Sequence, residues 1–245
     1  MENPFSLKGK TILVTGASSG IGKSIALLCA QMEAEVFITA RREEKLKEVV
    51  SEMGATNNKY IVADLSNQED ITRLVDAVPK LDGIVHCAGV GSRVLCKNIT
   101  DADIYHVMKP NFEAPVLLQS ALLSKKKINK LASLVFVVSI STESPSVGNA
   151  LYSASKGALL AYTKCLSIEL APRGIRVNCI SPAMVWTDLI IKDGVDEEML
   201  REDEKKYPLG RYGKPEDIAG LTVYLLSDIS NWMTGGNINI TGGSR

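Results

Sequence analysis

The sequence predicts an α/β fold built on a parallel sheet, and three observations support this prediction. Short apolar runs rich in β-branched residues recur between stretches with helical periodicity. These runs are continuously apolar rather than alternating, as expected for strands that are covered on both faces. The 245 residues suit one large domain, and no linker or repeat divides them. This order of elements fits either a doubly wound sheet or a (β/α)8 barrel.

Strands and helices are expected to alternate along most of the chain. The predicted strands are residues 11–15, 35–39, 59–62, 83–86, 134–138, 175–180 and 237–240. Helices are predicted from the first strand's loop to about residue 32, and then over 43–53, 70–78, 102–123 and 151–170. Residues 187–215 are dense in Asp, Glu and Lys and interrupt this rhythm. They indicate an insertion over one end of the sheet or, alternatively, a solvated helix pair without a role.

Charge and cysteine content exclude several classes of function. Lys plus Arg and Asp plus Glu both number 28, whereas a protein that binds nucleic acid or an anionic membrane is normally basic. No apolar run approaches the roughly 20 residues that span a bilayer, and residues 1–7 lack the order of a signal peptide. Five cysteines without a Cys-x-x-Cys pair, and only two histidines, predict no metal site. We therefore expect a cytoplasmic protein with reduced thiols.

A loop with three glycines, Gly16, Gly20 and Gly22, comes directly after the first strand and opens the following helix. Glycine lets the backbone approach a phosphate, and a helix N-terminus offers free N–H groups. The segment 22–24 resembles the end of a triphosphate-binding P-loop, but Ala17 stands where that motif needs a glycine. The loop predicts a dinucleotide phosphate site, with a glycine turn that binds nothing as the alternative.

Two arginines, Arg41 and Arg42, follow the second strand. A site for NAD usually carries a carboxylate there to hold the ribose 2′-hydroxyl, whereas an arginine accommodates a 2′-phosphate. No acidic residue stands between the end of this strand and Glu43, so the pair predicts recognition of NADP(H). The alternative is a pair of solvated charges at the start of a helix.

Tyr152 and Lys156 are four residues apart on a predicted helix and therefore share one helix face. A cation near a phenol favours the phenolate and brings its pKa towards working pH. Ser139 ends the preceding strand, and its hydroxyl could donate to a substrate carbonyl; Ser141 is a rival two residues later. This arrangement predicts acid–base chemistry at a carbonyl group.

Asn111 lies in the helical stretch 102–123 between Pro110 and Pro115. Proline removes a backbone hydrogen bond and kinks a helix, which frees carbonyl groups and can position a polar side chain and a water. A plain bent helix is the alternative.

Together these residues resemble the short-chain dehydrogenase/reductase family over essentially the whole chain. The matching motifs are Thr15-Gly-x-x-x-Gly-Ile-Gly22, Asp64-Leu65, Ala88-Gly89, Asn111, Ser139, Tyr152-x-x-x-Lys156, Asn178 with Pro182, Thr187, Thr234-Gly235 and Gly242-Gly243. The resemblance implies one doubly wound Rossmann-type domain over residues 1–245, with about seven parallel strands and helices on both faces. It also implies an NADP(H)-dependent enzyme that interconverts a ketone and a secondary alcohol.

The resemblance assigns roles to four catalytic residues. Tyr152 is the acid and base, Lys156 lowers its pKa and holds the nicotinamide ribose, Ser139 polarises the carbonyl, and Asn111 supports a proton-relay water. Asp64 and Leu65 are expected to meet the adenine. The full set implied to bind the cofactor is Gly16, Ser18, Ser19, Gly20, Ile21, Gly22, Arg41, Arg42, Asp64, Leu65, Ala88, Gly89, Tyr152, Lys156, Pro182, Val185 and Thr187.

The chain departs from the family pattern at three places. His86-Cys87 replaces two asparagines, which removes an amide that helps to hold the central sheet. Ala183 replaces a glycine, so its φ angle should be negative or strained. Ser19 stands where some NADP enzymes have a basic residue, so recognition of the phosphate should depend on Arg41 and Arg42.

The closest pattern within the family is that of the 3-oxoacyl-[acyl-carrier-protein] reductases. Alternatives are a reductase of a keto-sugar or another small carbonyl compound, or a non-catalytic NADP(H)-binding sensor. An acidic acyl carrier protein is a further expected partner, docked on Lys125–Lys127, Lys130 and Arg173, unless these residues only suit a helix C-terminus. The resemblance also implies a homo-oligomer, a tetramer or a dimer, and a substrate lip around 187–215.

Overall fold

A computed structural model describes residues 3–54, 57–188, 190 and 196–244. Its strands are β1 (Thr11–Thr15), β2 (Glu35–Ala40), β3 (Lys59–Val62), β4 (Leu81–His86), β5 (Ile128–Val137), β6 (Arg176–Pro182) and β7 (Asn237–Ile240). They form one parallel sheet in the order β3-β2-β1-β4-β5-β6-β7. The predicted doubly wound sheet of seven parallel strands is confirmed, and the barrel is excluded.

Helices cover both faces of this sheet. They are α1 (Gly20–Gln31), α2 (Glu43–Glu52), α3 (Gln68–Ala77), α4 (Asp101–Met108), α5 (Ala114–Ser124), α6 (Ala150–Leu170), α7 (Glu197–Glu204) and α8 (Pro215–Leu226). Residues of α1, α2 and α8 form one apolar core with the sheet, and residues of α3, α5 and α6 form the other. Capping residues determine where two of these helices begin. The Asn67 side chain accepts hydrogen bonds from backbone N–H groups in the first turn of α3, and Thr100 and Asp103 form a capping box at the start of α4. None of the described helices is long and apolar enough to cross a membrane.

The fifth strand differs from its prediction, because it begins at Ile128 rather than at residue 134. Its first half is not a continuous apolar run: Lys130 and Leu131 are exposed, and Leu131 has a φ angle of 64°. The register against β4 also shifts in this half. The apolar pattern therefore marked only the half of the strand that is buried on both faces.

The predicted kink in the helix over residues 102–123 is confirmed as a short π-helix, Lys109–Glu113, between α4 and α5. Pro110 and Pro115 have no N–H to donate to the carbonyl four residues earlier. The N–H of Ala114 instead donates to the carbonyl of Lys109, five residues back. Single π turns of this kind often occur at functional sites, and this one carries Asn111.

The strand order reverses between β1 and β4, and both strands end at the same edge of the sheet. In open α/β sheets, ligands bind outside the carboxyl ends of the strands at such a reversal. The glycine loop follows β1 and the Ala88-Gly89 segment follows β4, so the two face each other there.

Candidate active site

The glycine loop between β1 and α1 lies directly against the end of β4. Gly16 has a φ angle of 67°, and a Cβ atom on it would lie 2.8 Å from the Ala88 backbone. A Cβ atom on Gly22 would lie 2.4 Å from the carbonyl oxygen of Gly16. The Oγ1 atom of Thr15 accepts hydrogen bonds from the backbone N–H groups of Cys87 and Ala88 at 3.0 and 3.2 Å. Backbone therefore packs on backbone here, and only glycine fits.

A cavity of about 650 Å³ opens from this loop along the ends of the neighbouring strands. Six of the residues predicted to bind the cofactor line it: Gly16, Arg41, Asp64, Leu65, Ala88 and Gly89. Thr187 contacts the opposite side of the loop, since a Cβ atom on Gly20 would lie 3.1 Å from its Cγ2 atom. The size of the cavity, its glycine cradle and the N-terminus of α1 fit a dinucleotide cofactor.

The two arginines lie at the rim of this cavity. The Nη2 atom of Arg42 donates to the hydroxyls of Ser18 and Ser19, at 2.9 and 2.8 Å, so its guanidinium lies over the glycine loop. Arg41 is exposed and lines the cavity itself. The pair thus presents positive charge at the end of β2, where a 2′-phosphate would lie.

Tyr152 and Lys156 project from the first turns of α6 towards the end of β5. Lys156 is 5% exposed, and its Nζ atom donates to the carbonyl of Val137 at 2.9 Å. The same atom lies 5.8 Å from the centre of the Tyr152 ring. The Ser139 hydroxyl is hydrogen-bonded to the phenol of Tyr152, and it accepts from the N–H of Ser141 at 3.2 Å. The geometry therefore places Ser139, not its rival Ser141, against Tyr152.

The pKa values in this cluster differ from the sequence-based expectation. Burial raises the pKa of Tyr152 above its ordinary value, while the hydrogen bond from Ser139 acts in the opposite direction. Burial also lowers the pKa of Lys156 to about 8. Desolvation of the phenol is the largest cause of this rise, and the lowering of the Tyr152 pKa by Lys156 stays a prediction.

Asn111 is fully buried, and its side chain is occupied by protein groups. Its Oδ1 atom accepts from the N–H of Val90 at 2.8 Å, and its Nδ2 atom donates to the Val90 carbonyl and to the Ser155 hydroxyl. The Ser155 hydroxyl donates in turn to the carbonyl of Tyr152 at 2.7 Å. The side chain thus positions the loop after β4 and the start of α6. A relay water would have to bind the backbone carbonyl of Asn111. In a regular helix that carbonyl accepts from the N–H of residue 115, but Pro115 has no N–H to donate.

The structure shows the surroundings of two residues that depart from the family pattern, His86 and Ala183. His86 stacks on Phe136 with ring centres 4.3 Å apart, and its Nε2 atom lies 3.0 Å from the Oε1 atom of Gln119. Burial lowers the pKa of His86 to about 4. Ala183 is not among the described residues with positive φ, and its N–H donates to the carbonyl of Ile240.

Sequence reasoning missed several supporting residues. Gln119 and Ser155 lie inside helices and carry no local signal, so only their contacts with His86 and Asn111 identify them. Thr15 was part of the matched motif, but its hydrogen bonds to the loop after β4 were not foreseen.

The predicted lip over residues 187–215 is described in part, and residues 189 and 191–195 lie outside the described residues. Val185 pairs with Gly213 after Pro182 ends β6. The Nε1 atom of Trp186 donates to Glu204 at 2.8 Å, and the hydroxyl of Tyr212 donates to Asp203 at 2.7 Å. These bonds attach α7 to the segments at the carboxyl end of β6, so α7 is not a freely solvated helix.

The predicted carrier-docking residues do not lie beside the site of the same chain. Lys125–Lys127 and Lys130 precede or begin β5, whereas Ser139 follows its other end. Arg173 follows the 21-residue helix α6, and Tyr152 lies at the start of that helix, about 30 Å away at 1.5 Å per residue. Lys127 and Arg173 also donate to the Val78 and Ile128 carbonyls. The patch therefore does not adjoin the site of the same chain, and docking of a carrier protein on it stays a prediction.

A family model described as enoyl-(acyl carrier protein) reductase matches residues 16–245. The 3-oxoacyl-[acyl-carrier-protein] reductase FabG of Rickettsia felis is 37% identical, and that of Aquifex aeolicus is 32% identical, each over 98% of both chains. The dehydrogenase/reductase SDR family member 4 of Pongo abelii is 33% identical over 97% of this chain and 88% of its own.

Solved structures agree with this result. A dehydrogenase/reductase from Sinorhizobium meliloti 1021 superposes with a TM-score of 0.89 at 36% identity, covering 98% of this chain and 96% of that one. A provisionally assigned NAD(P) dependent gluconate 5-dehydrogenase from Beutenbergia cavernae, with bound NADP at low occupancy, gives 0.89 at 31% identity over 98% of each chain.

Proposed function

The chain belongs to the short-chain dehydrogenase/reductase family and is an oxidoreductase. We propose that it reduces a 3-oxoacyl thioester to the 3-hydroxyacyl thioester with NADPH. The observation that carries this proposal is the cluster of Tyr152, Ser139 and Lys156 beside the cavity of the glycine loop. The acyl group is carried by an acyl carrier protein in this proposal, as the names of the FabG relatives indicate for those proteins.

The residues of the cluster supply the proton chemistry of carbonyl reduction. When bound, the nicotinamide cofactor supplies a hydride to the carbonyl carbon. The phenol of Tyr152, whose pKa burial raises further, is protonated at neutral pH, so it can give its proton to the oxygen on which negative charge develops. The Ser139 hydroxyl is the second donor to that oxygen. Lys156, fixed by the Val137 carbonyl, is expected to hold the nicotinamide ribose.

Preference for NADP(H) is proposed from the charges at the end of β2. Arg41 and Arg42 stand between the end of β2 and Glu43, the first acidic residue after that strand. No carboxylate therefore occupies the position directly after β2, where it would repel a 2′-phosphate. The Beutenbergia cavernae structure with bound NADP supports this choice from a similar chain.

Two observations bear on the substrate. The matching family model is described by an enoyl reductase activity, but the neighbouring hydroxyls of Ser139 and Tyr152 suit a developing oxyanion, which a ketone provides. The similarity to the gluconate 5-dehydrogenase makes a keto-sugar the second candidate. A non-catalytic sensor would not need the Ser139–Tyr152–Lys156 cluster that this chain retains.

The test is a substrate panel measured with both cofactors. We expect acetoacetyl thioester to be reduced, keto-sugars to react poorly, and kcat/KM with NADPH to exceed that with NADH.

Arg41→Asp should reverse the cofactor preference by about 10- to 100-fold, because a hydrogen bond to a charged group contributes ~1.5–3 kcal/mol. Lys45→Asp, an exposed charge change on α2, serves as the control and should leave the preference unchanged. Equal efficiency with the two cofactors would contradict the assignment of Arg41.

A further inference from the structure

A second cavity, of about 720 Å³, lies next to the catalytic helix and is separate from the one at the glycine loop. We call it the side groove. Its surface is almost wholly apolar, and it is lined by Leu95, Cys96, Lys97, Pro145, Ser146, Val147, Gly148, Ala150 and Ser153. None of these residues carries a carboxylate or an amide. A sugar needs polar partners for its hydroxyls, so the chemistry of this groove fits a hydrocarbon chain instead.

Both walls of the side groove begin at residues of the catalytic cluster. One wall, residues 95–97, lies in the segment that follows Val90, which Asn111 holds by two hydrogen bonds. The other wall, residues 143–149, connects Ser139 to the helix that carries Tyr152. The N–H of Val94 donates to the carbonyl of Gly148 at 2.8 Å and joins the walls. The groove is therefore attached to the reacting centre on both sides.

Two large apolar side chains on these facing loops are left in water. Val147 is 87% exposed and Leu95 is 46% exposed. Apolar side chains clustered around a concave surface often mark a ligand-binding groove. Ala150 and Ser153, one turn apart, form the floor beside Tyr152.

We propose that the side groove binds the acyl chain of the 3-oxoacyl substrate and makes the enzyme selective for chains longer than four carbons. This inference rests on the proposed function and adds the substrate's chain length and the residues that set it. Each methylene buried in the groove should raise kcat/KM by about two- to fourfold, the effect of burying one CH₂ group in part or in full. Leu95, Val147 and Ala150 are the residues that determine this selectivity.

The kinetic test compares 3-oxoacyl thioesters of four to ten carbons with NADPH. In the unmodified enzyme kcat/KM should rise with chain length. Ala150→Leu, which fills the groove, and Val147→Asp, which places a charge at its wall, should each remove that rise. Ile168→Asp, at an equally exposed apolar position near the other end of α6, is the control and should keep the rise. A flat chain-length profile in the unmodified enzyme would overturn the inference, as would equal losses for short and long substrates.

A labelling experiment tests the groove without any catalysis. Cys96 lines the groove and Cys165 lies on α6 away from it, and both are exposed free thiols. An unreactive decanoyl amide should slow alkylation of Cys96 at least fivefold and leave Cys165 unchanged, as read by peptide mass spectrometry. A butyryl amide should protect neither thiol. If Cys96 is protected but no 3-oxoacyl thioester is reduced, the proposed function fails and the groove stands; if thioesters are reduced without protection, the groove assignment fails alone.

Discussion

The cofactor half and the substrate half of the site are built by different means. The cofactor half, residues 15–22, 39–42 and 86–89, packs backbone on backbone, so that an added Cβ atom at Gly16 or Gly22 would come within 3 Å of main-chain atoms. The substrate half, residues 91–97, 143–149 and 196–213, is walled by side chains, some of them exposed like Val147. Main-chain contacts leave one acceptable residue type, whereas a side-chain wall accepts many. The cofactor can therefore be predicted from sequence, and the substrate depends on the three-dimensional arrangement of loops.

The largest expected effect comes from the residue where the two halves meet. Tyr152→Phe keeps the shape of the ring and removes the proton donor, so kcat should fall by about 10²–10⁴-fold, the usual contribution of a general acid. The dissociation constant for NADPH should stay nearly unchanged, because the cofactor half is intact. Stopped-flow turnover and fluorescence titration measure the two quantities. Near-normal turnover would show that the acid lies elsewhere, and weakened NADPH binding would show that the halves are not separable.

Much of the cofactor half was predictable because its constraints are local in sequence. The glycine spacing after β1, the arginines after β2 and the Tyr152–Lys156 pair were each identified from neighbouring residues. The Asn111 kink was also predictable, since two prolines dictate it. The hydrogen bonds that Asn111 makes to Val90 and Ser155 join three segments distant in sequence, so no local pattern indicates them. The same holds for the side groove, whose walls meet only in the folded chain, and for the basic patch, whose distance from the site depends on the length of α6.

A second prediction concerns His86, the last residue of β4, which lies in the cofactor half. Its pKa is lowered to about 4 in the fold, against 6.5 for an ordinary histidine, because burial disfavours the charged ring. The unfolded chain therefore takes up this proton first as the pH falls. The stabilising contribution is complete above pH 6.5 and is lost as the pH falls to about 4. The free energy of unfolding should drop by about 3 kcal/mol over this interval from His86 alone, at 1.36 kcal/mol per pKa unit.

Chemical denaturation at pH 7.5 and pH 4.5 measures this drop. Carboxylates also lose stability in acid, so the informative quantity is the difference between variants. His86→Asn restores an amide opposite Gln119 and should make the loss of stability on acidification smaller by about 2–3 kcal/mol. His106→Asn, at the exposed second histidine, should leave the loss as it is. Parallel pH dependence in all three proteins would show that His86 titrates normally.

The smallest expected effect comes from adding the same methyl group to each half. In Gly22→Ala the new Cβ atom meets the Gly16 carbonyl oxygen at 2.4 Å, so the glycine loop must shift. Overpacking of this kind costs ~1–3 kcal/mol, which predicts NADPH binding weakened by about 5- to 100-fold. In Gly213→Ala, on the substrate half, the new atom meets the Val185 Cγ2 atom at 3.3 Å, so a small shift of that side chain relieves the contact without moving the main chain. NADPH affinity should then change by less than about twofold, since overpacking that a rotamer change relieves costs little. Isothermal titration of both variants makes the comparison direct, and equal losses of affinity would mean that the substrate half is held as rigidly as the cofactor half.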